Sequence, residues 1–227
     1  MIANGFQKKL LFSPDEIDVF KQTISEQIDR VATALSGPFE YSEPGLSIFE
    51  RLETLAKKDP SYATIMYHAI CGDLQRDPRI HQLITHSKLR LSAEELIGQK
   101  IETGTVRVRC NIPSLENARQ RWHSDVVLMN GQNCSKIKVA CWIPLQDVDN
   151  DNGTMEIVHQ SFNSPFPHTE ENGQFIIPEE SLQQFQKETI IASAGNCVFI
   201  DRFTPHQSIP NKSPYVRWSI VVWFRTA

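Results

Sequence analysis

Two short segments of this sequence carry residues able to hold a metal ion and an anion side by side. Trp122-His123-Ser124-Asp125 sets a histidine and a carboxylate two residues apart, ahead of the apolar run Val126-Val127-Leu128. If that run is a strand, side chains two apart share a face, and His123 and Asp125 could grip one metal from the same side. The triplet alone says little. With seven histidines and eleven aspartates in the chain, about 0.3 His-x-Asp triplets arise by chance. The plain alternative is a surface histidine and aspartate at a strand end.

The second segment says more. Gly195-Asn196-Cys197-Val198-Phe199-Ile200-Asp201 reads as a glycine turn into an apolar strand, followed by Thr204-Pro205-His206 and then by Arg217-Trp218-Ser219. A third ligand far downstream suits a β fold in which distant segments become neighbours. His123, Asp125 and His206 would then form a facial triad of two histidines and one carboxylate, which leaves open positions on a metal and is the arrangement of non-haem iron oxygenases. Arg217 lies eleven residues after His206. Its guanidinium would make a bidentate partner for a carboxylate deep in the fold. Ser219, two residues on, shares that face and could donate its hydroxyl to the same group. A dicarboxylate could thus chelate the metal at one end and be anchored at the other. Singly, Arg217 would read as an ordinary exposed strand residue; its spacing from His206 decides otherwise.

Other residues are weaker candidates. Arg107, Arg109 and Asn111 share one face of a strand; if that face points inward, Arg109 or Asn111 could touch a co-substrate or an acidic substrate, and if outward they are merely solvated. Trp142 shares a face with Lys138, and a buried structural tryptophan is its simpler reading. His159 and His168 are rival metal ligands with poorer context than His206. His68, His81 and His86 read as surface or packing residues, and Gln120 and Arg121 lie close enough to the His-x-Asp motif to reach a substrate.

The elements that must position these residues fall into two parts. Ser13-Pro14-Asp15-Glu16 is a capping box with proline at the first helical position. Ile17, Phe20, Ile24, Ile28, Val31 and Leu35 follow at steps of three and four, an amphipathic stripe stopped by Gly37-Pro38. Helices are predicted over about 47–57, 59–73, 78–86 and 92–97, the last with a Ser92…Glu95 box. From Ile101 the pattern becomes short strands between Gly, Pro and Asn turns: 105–111, 136–145, 154–159, 188–192, 197–201 and 216–224. This predicts one α+β, mainly β domain spanning 1–227. Residues 101–227 would form a double-stranded β-helix (a jelly roll or cupin-like barrel), with residues 1–100 as a helical flank packed on one face.

Composition narrows the partners. The chain has 227 residues and a net charge of −4, with no polybasic run, so neither nucleic acid nor membrane is expected to bind it. The five cysteines (Cys71, Cys110, Cys134, Cys141 and Cys197) include no C-x-x-C pair and read as reduced core thiols. No signal peptide or membrane span is legible, which points to a cytoplasmic protein. The apolar stripe of the first helix suits packing on the barrel better than a dimer interface, so a monomer or homodimer is expected.

Taken together, these motifs resemble the phytanoyl-CoA dioxygenase family of iron and 2-oxoglutarate oxygenases. The resemblance runs from Asn4-Gly5-Phe6 and the capped helix 13–35 through Arg109-Cys110-Asn111-Ile112-Pro113 and Trp122-His123-Ser124-Asp125. It continues with Trp142-Ile143-Pro144-Leu145-Gln146-Asp147-Val148 and Asn152-Gly153-Thr154-Met155-Glu156-Ile157-Val158, and closes with His206-Gln207-Ser208, Asn211-Lys212-Ser213 and Arg217-Trp218-Ser219. The Trp-His-Ser-Asp tetrapeptide is also similar to that of ectoine hydroxylases. Where family members often carry Pro-Gly-Ser-His after the Asn-Gly turn, this chain has His159-Gln160-Ser161-Phe162, a departure expected near the barrel mouth. The chain is also short for the family.

The resemblance implies Fe(II) at His123, Asp125 and His206, and 2-oxoglutarate anchored on Arg217 and Ser219, with Arg109 and Asn111 as further contacts. It implies that O2 and 2-oxoglutarate are converted to succinate and CO2 while a small-molecule substrate is hydroxylated. Related halogenases replace the carboxylate ligand with a small residue; Asp125 favours hydroxylation. Two other readings stay open: a metal-dependent isomerase or hydrolase on a cupin-like barrel, which would not need Arg217, and a ligand-binding barrel without turnover.

Overall fold

The computed structural model describes residues 2–35, 45–115, 119–129, 132–133 and 136–226. Five helices come early: α1 (Pro14–Leu35), α2 (Ile48–Lys58), α3 (Pro60–Leu74), α4 (Pro78–His81) and α5 (Ser87–Ile97). The box at the head of α1 forms as expected, with Ser13 N–H donating to Glu16 Oε2 at 2.8 Å and Glu16 N–H to Ser13 Oγ at 3.3 Å. The stop at Gly37-Pro38 lies outside the described residues. α5 starts at Ser87, so Ser92 is a mid-helix residue and not a cap. The helix ends where expected, at Gly98 in the left-handed region.

Strands follow as β2 (Thr103–Asn111), β3 (Leu128–Met129), β4 (Gln132–Asn133), β5 (Ile137–Pro144), β6 (Met155–Val158), β7 (Thr169–Glu171), β8 (Gln174–Ile176), β9 (Lys187–Thr189), β10 (Asn196–Asp201), β11 (His206–Ser208) and β12 (Arg217–Arg225). One further strand, β1 (Phe6–Leu10), precedes α1 and pairs with β10. The larger sheet runs β1-β10-β5-β12-β2, all antiparallel, and a smaller one runs β11-β6-β9. This is the jelly-roll arrangement of two facing sheets; the described strands do not close into a barrel.

The larger sheet is a wall with two different faces. Val106, Val108 and Cys110 of β2, Cys141 and Ile143 of β5, and Trp218, Ile220, Val222 and Phe224 of β12 share one core with the helices. Ala140, Trp142, Val198 and Ile200 point the other way, into a second core with Met155 and Ile157 of the smaller sheet. Strict alternation at period two sorts the residues, as the pleat requires. The sheet's inward face also carries Arg107, Arg109 and Asn111, cross-strand from Val221, Ser219 and Arg217. Of the two readings of that face, the inward one holds.

Cys110, Cys141 and Cys197 are buried free thiols and Cys71 is half-buried, as expected for core residues; Cys134 lies outside the described residues. No helix among the described residues is long and apolar enough to cross a membrane.

Candidate active site

Two adjoining hollows open on the inward face of the larger sheet. A narrow inner cavity of about 60 Å3 is walled by Arg109, Asn111, Trp142, His206, Arg217 and Ser219, with His123 and Asp125 at its rim. An outer cleft of about 1120 Å3 shares Arg109, Gln120, His123, Asp125 and Trp223 with it. His123, Asp125, His206, Arg217, Ser219, Arg109, Asn111 and Gln120 therefore each reach one or both of these spaces, whereas Arg121 lines neither and pairs with Glu171 at 2.6 Å.

The two histidines meet across a backbone bridge. His123 N–H donates to His206 O at 3.0 Å and His206 N–H to His123 O at 2.9 Å, which brings the ring centroids to 4.3 Å. Each ring is oriented through its own backbone. His123 Nδ1 stands 2.7 Å from Arg121 O and His206 Nδ1 stands 3.0 Å from Thr204 O. A carbonyl can only accept, so each Nδ1 carries the proton and each Nε2 presents a lone pair, the tautomer a metal-binding histidine needs. Burial, reinforced at His123 by its histidine neighbour, pushes the pKa down to about 3 for His123 and about 4 for His206. Both rings are neutral at neutral pH.

Asp125 arrives by a different route from the one its spacing suggested. Residues 125 and 126 form a bend, and the strand begins only at Leu128. The shared-face argument for a strand from Val126 does not describe this backbone; the bridge at His123 and the bend after it deliver both side chains to the same rim. Trp223 Nε1–H donates to Asp125 Oδ1, while Asp125 Oδ2 is buried without a hydrogen-bond partner among the described residues. Burial raises the Asp125 pKa, partly offset by His123 and Trp223. A buried carboxylate oxygen with no partner is costly unless something cationic completes it. Two neutral imidazoles with free Nε2 atoms and one such carboxylate make a donor set suited to a divalent transition metal. Among the described residues no three His, Cys, Asp or Glu side chains stand together as a group that could hold a metal ion as they are, and Asp125 Oδ1 accepts from Trp223 Nε1–H.

Arg217 is the other unbalanced group. It is 3 % exposed. It donates through Nε to Gly153 O at 3.0 Å, and through its terminal nitrogens to Ser219 Oγ at 2.7 Å and Ser208 Oγ at 3.3 Å. Its guanidinium also lies 5.5 Å from the Trp142 ring. None of these partners is a carboxylate. Burial lowers its pKa to about 10, so it remains charged. Gly153 makes this nest possible: at φ +75° a Cβ there would stand 2.4 Å from Asn111 Nδ2.

Asn111 lines the cavity, but its amide is spent on Gly153 O at 3.2 Å and Ile209 O at 3.1 Å. Asn211 in turn donates to Asn111 O at 3.0 Å, so the pair ties the loops around Arg217. Arg109 lies beside the Tyr67 hydroxyl and raises a positive field at His123 and Asp125. Tyr67 of α3 was not singled out by sequence; a helix tyrosine gives no local sign that it reaches a cavity. Trp223 was equally silent as a partner for Asp125.

The rival histidines are elsewhere. His168 donates from Nδ1 to Phe166 O at 2.8 Å and accepts at Nε2 from Ser124 N–H at 3.3 Å, buttressing the turn between His123 and Asp125. His159 meets Glu188 at 3.0 Å and packs on Phe6.

The family model for phytanoyl-CoA dioxygenase (PhyH) matches residues 8–219. No functionally curated protein matches the chain in sequence. Among solved structures, EvdO2 from Micromonospora carbonacea var. aurantiaca superposes with a TM-score of 0.62 at 15% identity, over 99% of this chain and 87% of that one. The epimerase SnoN from nogalamycin biosynthesis, solved with Fe3+, alpha ketoglutarate and nogalamycin RO, gives 0.56 at 16% identity, over 99% and 80%. EctD from S. alaskensis, in its apoform, gives 0.57 at 16% identity, over 98% and 73%.

Proposed function

The chain belongs to the phytanoyl-CoA dioxygenase family, and from that premise we propose that it is an Fe(II)- and 2-oxoglutarate-dependent oxygenase that hydroxylates a small molecule. The observation that carries this reading is Arg217, a buried guanidinium with no carboxylate partner among the described residues, at the end of a cavity whose rim holds two neutral histidines and a carboxylate oxygen that the described residues leave unsatisfied.

In this reading His123 and His206 offer Nε2 and Asp125 offers Oδ2 to iron, leaving Trp223 on the other carboxylate oxygen. Arg217 and Ser219 bind the far carboxylate of 2-oxoglutarate, which slides into a cavity too narrow for a bulky molecule. Arg109, at the rim shared with the cleft, is placed to steady the end nearer the metal, and Asn111 holds the loops around Arg217. With iron bound, 2-oxoglutarate and O2 supply oxidising power as they become succinate and CO2. The chain's own residues orient the reactants and keep water from them. The carboxylate ligand and the family favour hydroxylation, while the similarity to an epimerase makes product analysis necessary.

The test is anaerobic titration of the metal-free protein with Fe(II) and 2-oxoglutarate, read by the weak visible charge-transfer band of the chelate. The band should form in the native chain and vanish in His206→Ala. Iron binding without a band would remove the oxygenase reading and leave a cupin-like enzyme of another kind. Mass analysis of products then separates an added oxygen atom from a simple isomer.

A further inference from the structure

We propose that the outer cleft is built to take an anionic substrate, one bearing carboxylate or phosphate groups, held by Arg76, Arg107 and Arg225. This rests on the oxygenase reading only in treating the cleft as the substrate's place.

The inference starts from the register of β2 and β12. Their inward-facing pairs run Thr103/Arg225, Thr105/Trp223, Arg107/Val221, Arg109/Ser219 and Asn111/Arg217. Guanidinium groups therefore recur along one face from the open end to the deepest point, Arg225 outermost and Arg217 innermost. Residues two apart on a strand are about 7 Å apart, so Arg107 and Arg109 are neighbours at the cleft floor. Arg76, just beyond the end of α3, joins them from the side.

These side chains are not held in ion pairs, although Arg76 also borders a second hollow lined by Glu26, Asp73 and Asp77. Arg30, Arg51, Arg79, Arg90 and Arg121 each lie against a carboxylate. Among the described residues, none of Arg76, Arg107 and Arg225 has such a partner. The one described carboxylate in the cleft lining is Asp125, which faces the metal position. On a chain of net charge −4, a cleft holding several unpaired arginines is a local feature and not a reflection of overall charge. A concave site lined by one sign of charge concentrates the field and draws in oppositely charged ligands. Forked guanidinium donors match carboxylate and phosphate oxygens in pairs.

Calorimetric titration of the metal-free protein with pyrophosphate, and separately with tricarballylate, tests this. At least one should bind with a Kd at or below roughly 1 mM, and the tighter one tells whether phosphate or carboxylate is the better match. The double variant Arg76→Ala/Arg107→Ala should weaken binding by about tenfold or more, a change of about 1.4 kcal/mol or more. Because Arg76 and Arg107 are exposed, an unchanged circular dichroism spectrum is expected and confirms the fold. Failure of both anions to bind overturns the proposal. So does binding that survives the double variant but is lost in Arg217→Met, since the anion then sits in the inner cavity. The Fe(II)/2-oxoglutarate band of the native chain is measured alongside. If it forms while neither anion binds, only the substrate class falls; if anions bind at the arginines and no band forms, the oxygenase reading falls instead.

Discussion

The two faces of the larger sheet are made by the same strands and obey opposite rules. Toward the helices, β12 presents Trp218, Ile220, Val222 and Phe224, each fully buried. Toward the smaller sheet it presents Arg217, Ser219, Val221, Trp223 and Arg225. The first face removes apolar area from water and is satisfied once the helices cover it. The second keeps a buried cation and an unpartnered carboxylate oxygen within one cavity wall. Stability resides on one side of the backbone and unmet electrostatic demand on the other, one residue apart.

The largest effect should come from the satisfied face. Trp218 is fully buried and donates its indole N–H to Ile48 O at 2.9 Å, joining β12 to the start of α2. Trp218→Ala should cost about 3–5 kcal/mol of unfolding free energy, measured by urea denaturation. A loss below about 1 kcal/mol would mean that the helices contribute little to holding the sheet.

Arg217, its sequence neighbour, should behave in the reverse manner. Keeping an uncompensated ion buried costs several kcal/mol, so Arg217→Met should leave the ligand-free protein as stable as the native chain, or more so. The same change should weaken 2-oxoglutarate binding by about 2–5 kcal/mol. Calorimetry and urea denaturation on one sample read both. If the variant is markedly less stable, the bonds from Arg217 to Gly153 O and Ser219 Oγ are holding the fold, and the contrast between the faces fails.

These particulars also show what the sequence could express. The stripe of α1 and the apolar face of β12 were legible because burial writes a period into the chain. Arg217 and Ser219 were legible because their spacing from His206 is short. β1 was not: Phe6-Gln7-Lys8-Lys9-Leu10 is polar and lysine-rich, as edge strands often are, and its partner β10 is nearly two hundred positions away. β7, β8 and β11 have three residues each, too few to show a period. His123 and Asp125 were singled out for a reason that the backbone does not follow, since a bend and not a strand carries Asp125. The residue types held more information than the local conformation assumed for them.

A smaller effect separates the buried histidine pair at the cavity rim from an ordinary exposed one. Two histidines with pKa about 6.5 would release roughly 1.5 protons on binding a metal at pH 6. Burial lowers His123 to about 3 and His206 to about 4, so neither has a proton to give at that pH. Only Asp125, raised by burial, can contribute, and it holds one at most. Zinc titrations at pH 6 in buffers of different ionisation enthalpy should therefore report fewer than one proton released. A value near two would show that the rings are hydrated and charged before metal binding.

The smallest effect tests the helical side alone. Glu16 closes the box at the head of α1, and its pKa is lowered chiefly by the Ser13 backbone N–H, with Lys88 assisting. A carboxylate whose folded pKa lies below its unfolded one stabilises fully above the unfolded value and loses that contribution as pH falls through the folded value. Glu16→Gln should thus cost about 0.5 kcal/mol at pH 7, a modest figure because the group is largely solvated, and the difference from the native chain should shrink towards zero on acidification below the carboxylate range. Urea denaturation of both proteins across that range gives the curve. The same substitution should leave 2-oxoglutarate affinity unchanged, because Glu16 reaches the site only through the helix-facing core. A shift in that affinity would show that the two faces of the sheet communicate, and that α1 does more for the cavity than support its wall.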